Sequence, residues 1–334
     1  MNLQLTPPDS TQLPWVKLAS AQRVSPKSWL EVLERYQLSP HELLKENTAL
    51  CEKTKALIGQ ISQPYVDAAF KWKEAGQNRH IITLDSPFYP ALLKQLDSPP
   101  LVLFATGNLE LLGQKQIAVV GSRRASHQGK RIANDFSLGL SNNGVVVTSG
   151  LAMGIDSAAH QGAMAGSTGT IAVMGTGPDK VYPAKNIQIL NDINDNGGLS
   201  ISEFFPGQGP KPWHFPRRNR IIAALSLGTL VVEAKIKSGT LITANLAADL
   251  GREVFAVPGN IFHAYSEGCH WLIQQGAKLV TTSNDILEEI EIYPEQISLG
   301  IDEQDEKSAA NSLATDKLLA SVDYDITAID VIAQ

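Results

Sequence analysis

Between Gly107 and Gly276 lie 23 of the chain's 26 glycines, and they repeatedly close short apolar runs that give way to helical patterning. The runs are Ile117 to Val120, Val145 to Val147, Thr170 to Met174, Leu199 to Ile201, Leu230 to Val232, Val254 to Val257 and Leu279 to Val280. Unbroken apolar runs of this length read as strands buried on both faces. Helical spacing separates most of them, at Gly129 to Leu140, Asp156 to Met164, Lys185 to Ile193, Asn219 to Leu225, Thr240 to Leu250 and Cys269 to Gln275. Strand, glycine turn and helix in alternation predict an α/β fold, a doubly wound parallel sheet whose ligands sit outside the carboxyl ends of the strands.

Those strand ends carry residues suited to phosphate. After the first run come Gly121, Ser122, Arg123 and Arg124, a glycine turn opening a helix. Such a turn presents free backbone N–H groups and the positive end of the helix dipole, and the two arginines invite an anion. Similar loops follow at Ser149, Gly150 and Gly154, at Gly175 and Gly177, and at Ser238, Gly239 and Thr240. Four on one sheet edge predict an anion-binding rim longer than a single pyrophosphate needs. No GxGxxG, Walker A, GxSxG or HExxH pattern is present, which argues against a bound dinucleotide or ATP and against hydrolytic chemistry. The expectation is a protein with no cofactor, no metal and no catalytic residues.

Three features have two readings each. Asp156 and His160, four apart on an expected helix, could ligate a metal, or could be a helix-start charge and a satisfied polar residue. Glu203 and Glu233 end buried strands as catalytic carboxylates or as partners that fix arginines. Trp213 to Arg220 sets aromatics beside Arg217, Arg218 and Arg220. This suits base stacking and phosphate contacts in single-stranded nucleic acid, or else forms an exposed turn whose arginines pair with Glu203 and Glu233.

The net charge of −6 argues against nucleic acid only until its distribution is considered. Nine acids and no base fall within Asp285 to Glu306, so the remainder is net basic. No acid lies between Glu110 and Asp135 or between Phe204 and Val232, the two windows that hold most of the arginines named above. No apolar run is long enough to span a membrane and no signal-peptide core is present, which points to a cytoplasmic location. Cys51 and Cys269 suggest neither a disulfide framework nor a zinc ribbon. Residues 1–13 read as a loose arm, and Ser25-Pro26 and Ser39-Pro40 as helix starts in a small helical N-terminal domain. The expected division is 1–78 helical, 79–290 sheet domain, 291–312 acidic linker and 313–334 a partial terminal domain.

The motifs GSRRAS, SGLAMGID, MGTGPDKVYPAKN, ISEFFPG, FPRRNRIIAALS, KSGTLITA, GREVFAVPGN and GCHWLI occur in an order that resembles the DNA-processing protein A family (DprA, also called Smf). The resemblance covers about Leu84 to Glu289. It implies an extended Rossmann-like domain that binds single-stranded DNA, forms a homodimer, and protects and loads incoming strands onto the RecA recombinase during natural transformation. It further implies a sterile-alpha-motif-like N-terminus and a winged-helix-like C-terminus, here truncated. Carried over by position, DNA contacts fall on Arg123, on Tyr182, Lys185 and Asn186, and on Arg217, Arg218, Asn219 and Arg220; Phe215 joins them as an aromatic beside those arginines. The dimer surface falls on His263, Tyr265, His270, Trp271 and Leu272. The alternative is a nucleoside-phosphate hydrolase on a related sheet, with Glu233 the residue to test.

Overall fold

The computed structural model describes residues 9–45 and 50–291. The expected acidic linker, Glu291 apart, and the partial winged-helix-like segment lie outside the described residues, as do residues 1–8 of the expected arm. The rest of that arm is helical. Helix α1 (Asp9–Ser20) begins early because Gln12 is tied into the first strand, donating to Ile81 O at 2.8 Å and accepting from Lys73 Nζ at 2.9 Å. Helix α2 (Pro26–Tyr36) starts at a Ser25 cap that accepts from Ser28 N. Helix α3 (Pro40–Lys45) starts at a capping box, in which Ser39 N donates to Glu42 and Glu42 N to Ser39 Oγ. Helices α4 (Glu52–Ile58) and α5 (Gln63–Glu74) complete the layer.

These helices do not form a core by themselves. Leu18, Trp29 and Leu43 are buried in one cluster with Phe104 and Phe205, and Trp72 meets Phe104 edge-on at 5.6 Å. The expected boundary at 78/79 therefore runs through a shared core, and residues up to Ile290 make one compact unit.

The strands are β1 (Arg79–Thr83), β2 (Val102–Gly107), β3 (Gln116–Val120), β4 (Val146–Ser149), β5 (Thr170–Val173), β6 (Leu199–Ser202), β7 (Gly228–Val231), β8 (Glu253–Ala256) and β9 (Lys278–Leu279). Between them run α6 (Ala91–Lys94), α7 (His127–Asn142), α8 (Ile155–Met164), α9 (Ile187–Asp195), α10 (His214–Leu225), α11 (Gly239–Asp249) and α12 (Glu267–Gln274), and α13 (Ser283–Glu291) follows. The sheet order is β1-β2-β6-β5-β4-β3-β7-β8-β9. From β6 to β9 every pairing is parallel, while β1 and β2 join one edge antiparallel. The chain builds outward from β3 through β4, β5 and β6, then returns to pair β7 on the other side of β3. That makes the β3–β7 boundary the switch point, where a crevice opens outside the carboxyl ends.

Apolar side chains of β3 to β7 are buried on both faces, which is why those strands read as unbroken runs. Helix α10 begins at His214, five residues before the helical pattern expected from Asn219. Trp213 to Arg220 is thus a helix start, and its arginines are spread around a helix rather than along a turn.

Two buried residues of α8 report on packing. A Cβ on Gly162 would lie 2.2 Å from the backbone O of Asn134 on α7, so only glycine lets these helices approach as they do. His160 is fully buried, with Nδ1 2.8 Å from Thr170 Oγ1. The Thr170 hydroxyl donates to Val147 O, so the imidazole donates to it and Nε2 is the bare nitrogen. Burial, with Arg218 nearby, pushes this imidazole down to about 3.

Two outcomes are expected. Gly162→Ala should cost about 1 to 3 kcal/mol in overpacking against a helix-propensity gain of about 1 kcal/mol, and so lower the urea midpoint. A midpoint equal to wild type would mean that α7 and α8 separate freely. For His160 the folded pKa lies below the unfolded value of 6.5, so its contribution is complete above that pH and drains as pH falls toward about 3. Urea titrations between pH 6 and 4 should show a slope shallower in His160→Gln than in wild type by about 1.4 kcal/mol per pH unit.

Candidate nucleic-acid interface

The loop after β3 is fixed from both sides. Ser122 N donates to Glu233 O at the end of β7, and Ile155 N donates to Ser122 O from the start of α8. Ser126 caps α7, accepting from Gly129 N at 2.9 Å, and its own N–H donates to the Glu233 carboxylate at 2.9 Å. Glu233 is therefore committed to a helix cap and pairs with no arginine among the described residues. Gly154 has φ of 87°, and a Cβ there would meet Ser122 O at 2.2 Å, which packs the β4–α8 loop against the β3–α7 loop.

With their backbone held, Arg123 and Arg124 extend into solvent. The Arg123 guanidinium lies 5.2 Å from the centre of the Phe215 ring, and Phe215 lies 5.4 Å from Tyr182. Gly175 permits this, since a Cβ there would touch Phe215 at 2.9 Å. Lys185, three residues after Tyr182 in sequence, is exposed. The structure thus gathers Arg123, Tyr182 and Phe215 from three separate segments of sequence.

At the switch point the crevice measures about 490 Å³. Arg123, Arg124, Arg218, Lys235 and Lys237 line it, with Asp156 as its one acid. On the far wall, Ser238 stands at the N-terminus of α11 without capping it, and its Oγ is buried with no partner among the described residues. The free N–H groups of this first turn, Gly239 and Thr240 among them, add partial positive charge. Lys235 sits 5.2 Å from the Tyr265 ring. Arrays of this kind hold phosphates by charge-assisted hydrogen bonds.

Several expected contacts occupy other roles. Arg218 is buried, and its Nη1 donates to Gly150 O and Val173 O, so it clamps the ends of β4 and β5. Burial lowers its pKa to about 10, with Asp156 opposing, and burial raises that of Asp156. Arg217 and Arg220 share Glu203 Oε2 at 3.1 and 2.5 Å, and Arg220 also donates to Ser98 O. Asn186 is buried and bonds Leu151 O and Ser157 Oγ. Ser149 donates to Val119 O, Asn219 ties α10 to Gly239 O, and Gly177 is buried against Phe205 O. These groups shape the rim, because a helix places every third or fourth side chain inward whatever its charge.

The expected dimer residues are likewise divided. Leu272 is 4% exposed within the sheet's core, and Trp271 packs on that core. Tyr265 belongs to the crevice, and His270 bonds Gly259 O at 3.0 Å. His263 is exposed beside Ile261 and Phe262, which are 75% and 91% exposed. Sequence reading set Lys235 and Lys237 in the rim loop before Ser238 without singling them out, and assigned Tyr265 to the dimer surface rather than to the crevice. The two lysines flank the same glycine loop, but only the fold brings Tyr265 opposite.

The family model described as DNA recombination-mediator protein A matches residues 80–291. Protein Smf of Escherichia coli is 42% identical over 276 residues, 80% of this chain and 72% of that protein. DNA processing protein DprA of Streptococcus pneumoniae is 50% identical over 203 residues, 61% of this chain and 71% of that protein. An X-ray structure of DprA from S. pneumoniae superposes with a TM-score of 0.70 at 39% identity, covering 82% of this chain and 95% of that one. A structure of the Helicobacter pylori protein, described for its single-stranded DNA binding mode, superposes with a TM-score of 0.58 at 27% identity, covering 64% and 96%. With the family model spanning more than half of the chain and the fold shared, this chain belongs to the DNA recombination-mediator protein A family.

Proposed function

We propose that this protein binds single-stranded DNA along the carboxyl edge of its sheet and acts without covalent chemistry as a recombination mediator. In this reading it works as a homodimer in the cytoplasm, protects incoming strands and loads them onto RecA during natural transformation. The observation that carries the proposal is the crevice at the switch point, where five cations face one buried carboxylate. The neighbouring platform of Arg123, Phe215 and Tyr182 suits flexible strands, because every base offers a face to stack on while the phosphates meet arginine. The H. pylori relative described for single-stranded DNA binding supports the same reading. Hydrolysis through Glu233 is disfavoured by the commitment of its carboxylate to Ser126.

For the homodimer, the described residues offer a surface on the β9 side. Strand β9 ends the sheet, Leu279 on it is 47% exposed, and Ile261 and Phe262 are open nearby in sequence. Leu272, by contrast, is internal.

Two experiments test these proposals. Arg123→Ala should weaken binding of a labelled oligothymidylate roughly tenfold, with log affinity falling less steeply against log salt by about one contact. Unchanged binding with an unchanged melting curve would remove the sheet edge from the DNA path. Leu279→Arg should halve the sedimenting mass of a folded protein, whereas Leu272→Arg should unfold it; a dimer that survives Leu279→Arg would place the interface elsewhere.

A further inference from the structure

We propose that the DNA path continues past the sheet edge, over the start of α10, into a second basic groove against the N-terminal helices, where Trp213 and Arg23 hold the strand. This inference rests on the single-stranded DNA reading above and extends it to a surface to which no role has yet been given.

The groove measures about 380 Å³ and is lined by Arg23, Ser25, Pro26, Ser98, Arg217 and Arg220, with no acidic residue on its walls. Glu203 lies beneath, its side chain 2% exposed, and accepts from Arg217 and Arg220 together. One carboxylate against three guanidiniums leaves the groove net positive. Arg23 is exposed and has no hydrogen-bond or ionic partner among the described residues. Arg217 spends Nε and Nη2 on Glu203, which leaves Nη1 available toward the groove. The adjacent Lys27–Asp97 pair is exposed and self-neutralising, so it does not cancel this charge.

Trp213 joins the groove to the sheet edge. It precedes α10 by one residue, two residues before Phe215 of the first platform and one helical turn, about 5.4 Å, before Arg217. The indole is 51% exposed although large and apolar. Its placement is defined, edge-on to Phe204 at 6.3 Å and to His214 at 4.1 Å, with Lys211 Nζ 5.6 Å from the ring. A fixed, open aromatic ring between two sets of arginines is the alternation of stacking and charge that tracks a single strand. Anchoring α10 would account for Arg217 and Arg220, but that role needs neither an open indole nor an unpartnered Arg23.

The test uses the full-length chain and two oligothymidylates, one short enough to occupy only the sheet edge and one several times longer. Arg23→Glu and Trp213→Ala should bind the short strand as wild type does and the long strand at least about fivefold more weakly, with Arg23→Glu lowering the salt slope by about one. Arg23→Lys should restore most of the long-strand affinity, and melting curves should match wild type because both side chains are on the surface. If both variants bind the long strand like wild type while Arg123→Ala has lost affinity for both lengths, the groove lies off the path and the sheet-edge reading stands. Equal weakening of both lengths by Arg23→Glu would also overturn the extension, since it would mark a general electrostatic effect. Wild-type binding by Arg123→Ala at both lengths would instead overturn the reading on which the extension rests.

Discussion

Each loop of the candidate interface hangs on the parallel pairing of β3 with β7. That ladder, continued past Val120 and Val231, sets Ser122 beside Glu233, and the Glu233 backbone and side chain then fix both ends of the five-residue stretch from Ser122 N to the Ser126 cap of α7. A parallel ladder leaves the N–H and C=O groups at its carboxyl end unpaired, and burial makes such groups costly unless a partner is supplied. Here the partners are the buried ends of side chains: Arg218 for the carbonyls of Gly150 and Val173, Glu233 for the amide of Ser126, and Asp156 for the amide of Ala152. Once these are satisfied internally, the residues between them turn outward.

This division of labour separates arginines that are neighbours in sequence. Arg217 and Arg218 differ by about 100° around α10, enough to send one to the surface and the other inside. Arg218 loses most of its hydration and is held by carbonyls, with a carboxyl group near by that burial pushes toward its neutral form. Arg217 keeps part of its guanidinium in solvent above Glu203. Positive charge available to a ligand is therefore smaller than the count of arginines in Phe215 to Arg220 implies, and it is concentrated at Arg123, Arg124, Lys235 and Lys237.

The N-terminal helices contribute to this arrangement beyond adding mass. Their apolar faces close over Phe104 and Phe205 at the antiparallel edge of the sheet. Gln208, buried in the loop that precedes α10, donates to Gln22 at the end of the first helical segment. The start of α10, with its aromatic and basic residues, is thereby held between the sheet and the helical layer, and one compact unit carries both the switch-point crevice and the groove at Arg23.

The repeated unit of apolar run, glycine and helical spacing was sufficient to establish a parallel sheet whose strands end toward Gly121, Gly150, Gly175 and Gly239, because burial on both faces makes each strand a short unbroken apolar run and the helical spacing between runs supplies the crossovers. The same local logic located the helix starts at Ser25 and Ser39, whose caps act within four residues. Three-dimensional packing alone decided which side chains of that edge face outward. Leu272 and Trp271 read as an amphipathic surface, yet Leu272 closes the core, because the sheet runs far enough to cover it. Asn186 and Arg218 read as ligands and became struts, since their partners, Leu151 O, Gly150 O and Val173 O, lie 35, 68 and 45 residues away. Residue type and spacing determine which groups can bind a phosphate; contacts between distant segments determine which of those groups are already bound to the protein.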